Sequence, residues 1–147
     1  TSHGGKTMIR KLRKTDLDEV AYIWLHTNKK AHDFIAETYW DEHFEMVKGM
    51  LGDAEIYVFE EQGQIKGFVG LDGEYIAGIF VREKEQSLGI GKQLLDFVKS
   101  LKGQLKLNVY QKNERAIKFY TREQFEIQDE QTDEATGEAE YLMLWKK

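Results

Sequence analysis

Two glycines one residue apart, Gly89 and Gly91, stand where an apolar strand end gives way to a helix, in the run Gln86-Ser87-Leu88-Gly89-Ile90-Gly91-Lys92. Glycine lets the backbone curl against a ligand, and the unpaired N–H groups of a first helical turn sit at the positive end of the helix dipole. The chemistry this suits is anion binding, with a pyrophosphate as the usual occupant. A dinucleotide fingerprint would need a third glycine where this chain has Leu94, and a triphosphate loop would need Ser or Thr where it has Gln93. Both are set aside. Later in the chain Tyr120 offers a phenol that can donate a proton at neutral pH. By spacing alone it could equally be a core aromatic beside Phe119, as Lys92 could be a solvated residue and Asn113 a helix cap.

The pattern Gln86-x-x-Gly89-x-Gly91 after a strand resembles the acyl-coenzyme A loop of the GNAT superfamily of N-acetyltransferases. Asn113-x-x-Ala116-x-x-Phe119-Tyr120 matches that family's second motif in register, and the resemblance extends over residues 8–147. The region of Trp24, His32-Asp33-Phe34-Ile35 and Tyr39-Trp40 resembles a bacterial subgroup that acetylates protein amines.

The resemblance implies an acetyl-CoA cosubstrate held by the main chain of Ser87, Leu88, Gly89, Ile90, Gly91 and Lys92, by Gln86, and by Asn113 and Phe119. The backbone of Ile79, Phe80 and Val81 would pair with the acyl and pantetheine groups. Tyr120 would protonate the departing thiolate. Glu74 is the first choice of base and His32 the second, with Phe34, Tyr39, Trp40 and Tyr75 beside His32 as candidate walls of a substrate face formed by the first two helices, the Glu74 strand and the final hairpin. Two departures stand out. Gln124-Phe125 replaces the family's usual Gly-Phe, and Glu74 and Tyr75 share the place of a glutamate on the strand before the loop. Side chains alternate along a strand, so without a bulge only one of the two can face the cleft.

The elements that must position these residues follow from periodicity. Met8–Arg13 is expected as a first strand. A helix capped at Thr15 or Asp16 runs to about Lys29, with Leu17, Val20, Ala21, Trp24 and Leu25 on its buried face. A second helix, with Phe44, Val47 and Leu51, ends at Gly52. Strands at Glu55–Glu61, Ile65–Leu71 and Glu74–Val81 form a meander with turns at Gln62-Gly63-Gln64 and Asp72-Gly73. A helix over Gly89–Leu101, a strand over Leu105–Tyr110, a helix over Asn113–Glu123 and a strand pair, Phe125–Asp129 with Tyr141–Trp145, complete the chain. This order predicts an α+β fold. The resemblance makes it a central mixed, mostly antiparallel sheet of about seven strands flanked by about four helices.

Residues 1–7 read as a tag remnant and residues 8–147 as a single domain. The 147 residues, 41% hydrophobic and 32% charged, suit one soluble domain. Without a cysteine, acyl transfer must proceed without a cysteinyl intermediate, which favours direct attack in a ternary complex. Neither a membrane span nor a secretory signal is read, so the cytoplasm is the expected location. A net charge of −5 speaks against nucleic acid and for a cationic amine. His26, His32 and His43 match no zinc spacing, so no metal is expected. The acceptor is expected to be a protein N-terminus or lysine. The alternatives are a small amine (a polyamine, amino acid or aminoglycoside) or a non-catalytic acyl-CoA sensor. A monomer or homodimer is expected.

Overall fold

The computed structural model describes residues 7–86 and 88–147. Ser87 and residues 1–6 of the expected tag remnant lie outside them. Thr7, the last residue of that expected remnant, opens the first strand, and its hydroxyl donates to Glu61 at 3.1 Å.

Seven strands and four α-helices are found among the described residues, in the expected α+β order. They are β1 (Thr7–Lys11), α1 (Leu17–Ala31), α2 (Glu37–Leu51), β2 (Glu55–Glu61), β3 (Gln64–Asp72), β4 (Tyr75–Val81), α3 (Ile90–Leu101), β5 (Gln104–Tyr110), α4 (Glu114–Arg122), β6 (Glu126–Thr132) and β7 (Ala139–Lys146). The first strand ends two residues before the expected Arg13. There Asp16 turns the chain through a 3₁₀ turn, accepting from the Arg13 N–H at 2.7 Å and from both Arg10 terminal nitrogens at 2.7 and 3.1 Å. These bonds to Arg10 hold the Asp16 carboxyl below its usual range. Helix α1 continues to Ala31, and β6 begins at Glu126 and reaches Thr132.

The strand order is β1-β2-β3-β4-β5-β7-β6, antiparallel except for β4 beside β5. Helices α1 and α2 cover one face, where Val20 and Ile23 meet Ile56, Val58 and Phe68. On the other face Leu94, Leu95 and Val98 of α3 meet Leu105, Leu107 and Val109 of β5, and α4 adds Tyr120.

Two irregularities in β4 shape the molecule. Opposite Gly70 and Leu71 stand Gly78 and Ile76, so Ala77 is an extra residue in β4. The alternation of faces changes phase there: Ile76, Ile79 and Val81 all pack with the α3 cluster and Phe80 with the α1 cluster. In addition, the only registered pair between β4 and β5 among the described residues is Tyr75 with Lys106. From there the two parallel strands diverge, and the main chain of β4 that faces β5 has no ladder partner.

Candidate active site

The gap between β4 and β5 has a helix start at each side. On one side Gly89 is the N-cap of α3 with φ +83°, a left-handed conformation that glycine takes without strain. Its carbonyl accepts from the Gln93 N–H at 3.0 Å, so the α3 ladder begins there, and the N–H groups of the first turn face outwards. Leu88 is exposed and Ile90 buried, pinning the turn to the core by one side. On the other side Asn113 caps α4, its Oδ1 accepting from the Ala116 N–H at 3.2 Å.

Three side chains join these two sides. Gln86 donates through Nε2 to the Val81 carbonyl at 3.0 Å and accepts through Oε1 from Arg115 of α4 at 2.8 Å. The Phe119 ring lies 3.6 Å from where a Cβ on Gly91 would stand. Lys92 does not point into the gap: its ammonium is bonded to Glu123 at 3.0 Å and Asp96 at 3.3 Å, so what it can offer an anion is its main-chain N–H. Ile79 and Val81 are partly buried with their side chains packed against the core, and the Phe80 ring folds back over Gly78, where a Cβ would stand 2.4 Å from it.

Tyr120 is buried between Phe119 and Phe125, whose ring centroids lie 5.1 and 5.4 Å away. Burial and then the neighbouring Tyr75 phenol push its pKa well above the ordinary value, so it is a protonated donor at neutral pH. The helix that carries it ends in a Schellman motif. Gln124 takes φ +77°, the Phe125 N–H donates to the Tyr120 carbonyl at 2.9 Å, and the Gln124 N–H donates to the Thr121 carbonyl at 3.1 Å. Gln124 thus adopts the conformation expected of the missing glycine. The Lys99 ammonium donates to the Glu123 carbonyl at 2.6 Å and helps close the end.

The face covered by α1 and α2 carries the other half. Tyr75, half-buried, lies beside Asn108 of β5, and burial, then the Glu140 carboxylate, raise its pKa. Asn108 Oδ1 is buried without a hydrogen-bond partner among the described residues. Beyond it the Tyr110 hydroxyl donates to Asp133 at 2.6 Å, and burial and this bond raise its pKa. Phe34 packs edge-on against Tyr110 with centroids 5.7 Å apart. Tyr39 is close enough that, after burial, the Asp133 charge raises its pKa. The aromatics Phe34, Tyr39, Tyr75 and Tyr110 are therefore gathered near two carboxylates, Asp133 and Glu140.

Glu74, the expected base, is not among them. It sits in the turn before β4, where its carbonyl accepts from the Lys106 N–H at 3.0 Å and its carboxylate accepts from Gln104 at 2.9 Å in solvent. It is the phenol of Tyr75, one residue on and on the opposite side of the chain, that acts electrostatically on Tyr120. His32 is not free either. Its ring is stacked on Trp40 at 5.6 Å, and Nε2 is 3.2 Å from Asn113 Nδ2. Burial lowers its pKa to about 4, leaving it neutral at pH 7. Sequence reasoning missed Asn108, Tyr110, Asp133 and Glu123. Asn108 left a trace as the one amide within Leu105–Tyr110, but the sheet order that brings Asp133 to Tyr110 left none.

Among the described residues no group of three or more His, Cys, Asp or Glu side chains gathers as a metal site, and no helix is long and apolar enough to cross a membrane.

A family model described as an acetyltransferase (GNAT) domain matches residues 52–127. The peptidyl-lysine N-acetyltransferase YiaC of Escherichia coli (strain K12) is 35% identical over 140 residues, 94% of this chain and 96% of its own. The solution structure of apo-form YjaB from Escherichia coli superposes with a TM-score of 0.85 at 25% identity, covering 95% of this chain and 97% of that one. The PaiA N-acetyltransferase of Thermoplasma acidophilum, solved in complex with coenzyme A, shares the fold with a TM-score of 0.82 at 19% identity, over 97% of this chain and 99% of its own.

Proposed function

Because this chain belongs to the GNAT acetyltransferase family, and is therefore an N-acetyltransferase using acetyl-CoA, we propose that its acceptor is the ε-amine of a lysine in a protein. The proposal draws its substrate from the relative YiaC, named a peptidyl-lysine N-acetyltransferase. The observation that carries the mechanism is the protonated, buried Tyr120 phenol beside Tyr75, where β4 and β5 part.

In this reading acetyl-CoA enters between β4 and β5. The main-chain N–H groups of Leu88 to Lys92 take the pyrophosphate, with Gln86 at the start of the loop. The Asn113 side chain and the open main chain of Ile79, Phe80 and Val81 take the pantetheine and the thioester, and Phe119 closes the groove beside Gly91. The lysine approaches from the opposite face, past Phe34, Tyr39, Tyr75 and Tyr110, and Asp133 and Glu140 favour its cationic form near the mouth.

A lysine amine has a pKa of roughly 10.4, so it must lose a proton to water before its lone pair can attack the thioester carbon. Unpaired N–H groups of β4 stabilise the oxyanion that forms. When the C–S bond breaks, the Tyr120 phenol gives its proton to the thiolate and recovers one from the nitrogen as the amide forms.

The test is thiol release from acetyl-CoA with three acceptors: peptides bearing one internal lysine and a blocked N-terminus, peptides with only a free N-terminus, and polyamines. Lysine peptides are expected to turn over fastest. Tyr120→Phe should lower kcat on the order of 100-fold, the lower end of what a positioned acid supplies, while coenzyme A affinity stays within about twofold. Turnover confined to polyamines would remove the lysine assignment, and an unchanged kcat in Tyr120→Phe would remove the role of the phenol.

A further inference from the structure

We propose that His32 is a positioning residue for the cofactor: it fixes the side-chain amide of Asn113 at the start of α4 and so ties the acceptor-side helices to the helix that carries Phe119 and Tyr120. The inference rests on the reading above, in which Asn113 binds the pantetheine. It gives His32 a role different from the base or acceptor-site wall expected of it.

Asn113 has its orientation decided from both ends. Its Oδ1 is occupied by the Ala116 N–H at 3.2 Å, so the group turned towards His32 is the amide nitrogen, which only donates. His32 Nε2, 3.2 Å away, must then be the acceptor, which puts the ring proton on Nδ1. Nδ1 is buried and makes no hydrogen bond of good geometry among the described residues. The ring is thus held in place by the Nε2 contact and by packing.

That packing leaves the ring little freedom. It stacks on Trp40 of α2 at 5.6 Å, meets Tyr110 of β5 edge-on at 5.0 Å and Phe34 at 5.6 Å. The His32 N–H donates to the Asn28 carbonyl at 2.9 Å, closing α1, and the His32 carbonyl accepts from Ile35 at 3.0 Å. Backbone and ring are both set by the α1–α2 corner, while the atom they aim belongs to α4, 81 residues further along the chain. The Asn113 N–H donates to the Tyr110 carbonyl at 3.0 Å, so the whole α4 start is braced by the end of β5 and by His32. An Asn113 amide free to rotate could cap α4 just as well, yet it would present its Nδ2 to a ligand only part of the time.

The experiment measures the coenzyme A dissociation constant by calorimetry, with kcat and KM for acetyl-CoA, in His32→Ala, His32→Gln, His32→Asn, Asn113→Ala and the His32→Ala/Asn113→Ala double variant. A glutamine can place its oxygen near the position of Nε2, whereas an asparagine oxygen reaches only the position of Nδ1. We expect Asn113→Ala to weaken coenzyme A about tenfold and His32→Ala about fivefold, as for the loss of one hydrogen bond and of part of one. The double variant should be no weaker than Asn113→Ala within about twofold, because the two residues act as one unit. His32→Gln should return most of the affinity and His32→Asn should not, with the loss in His32→Ala appearing in KM more than in kcat. Full affinity in His32→Ala, penalties that multiply in the double variant, or equal behaviour of the glutamine and asparagine variants would overturn the inference. Should His32→Ala not fold, the glutamine and asparagine pair carries the comparison alone. A neutral Asn113→Ala would instead remove the pantetheine role of Asn113, and the inference with it. A loss in Asn113→Ala beside a neutral His32→Ala would remove the inference only.

Discussion

Acidification from pH 7 to pH 5 should destabilise this protein through His32. Burial lowers the pKa of His32 from 6.5 to about 4, so in that range the unfolded chain takes up a proton that the folded chain refuses. The sign is fixed: the folded state is favoured above pH 6.5, and the advantage shrinks as pH falls, levelling off only below pH 4. The full gap corresponds to ~3 kcal/mol, of which about 2 kcal/mol is expressed by pH 5. Asp16 also destabilises on acidification, but its pKa is lowered from 3.8, so its loss lies below this window. Urea unfolding at pH 7, 6 and 5, followed by tryptophan fluorescence, reads the change as a fall in midpoint at constant slope. The control is His32→Gln, which has nothing to titrate there and should keep its pH 7 stability at pH 5, whatever that stability is. If His32→Gln loses as much as the parent protein, the imidazole is not neutral and buried in the fold. The assignment of its Nε2 as an acceptor for Asn113 would then lose its basis.

Three further outcomes test other parts of the structure. Gly91→Ala should fold with unchanged or slightly raised Tm, since its Cβ meets Phe119 at an ordinary 3.6 Å, yet coenzyme A titration should show at least about a tenfold loss from crowding of the ligand's path. Gln124→Gly should raise stability by about 0.5–1 kcal/mol in urea, because it relieves a left-handed conformation at φ +77° at the cost of a more flexible unfolded chain; a loss would show that the glutamine is not strained there. Glu74→Gln should leave kcat within about threefold, since its carboxylate faces Gln104 in solvent; a drop of about 100-fold, the scale of a lost general base, would restore it as the base.

What could be read from the sequence was what the chain builds from near neighbours. The Gly89 turn needs only a left-handed glycine ahead of an amphipathic helix, and the Asn113 cap closes on a residue three places on, so both lay open in the spacing. The match of 35% identity and the shared fold bear out the family read from those two motifs. The departure at Gln124 was also visible, though not its resolution: the Schellman bonds form with a glutamine in the glycine's conformation, and Lys99, 24 residues away, helps to secure the helix end. The placing of Glu74 and Tyr75 was hidden for a reason of the same kind. Counting back along β4 assumes an unbroken alternation, while Ala77 inserts a residue that changes its phase.

The face with Tyr110 is assembled from three distant parts, the α1–α2 corner, the end of β5 and the Asp133–Glu140 hairpin, of which the end of β5 was the one not anticipated. They meet because β7 runs beside β5 and carries β6 to the far edge, an order that periodicity does not encode. The same order accounts for the opening itself. Strand β5 is in register with β7 along all seven of its residues, but with β4 at one. The opening between β4 and β5 therefore lies where β5 is held in the sheet by β7 rather than by β4.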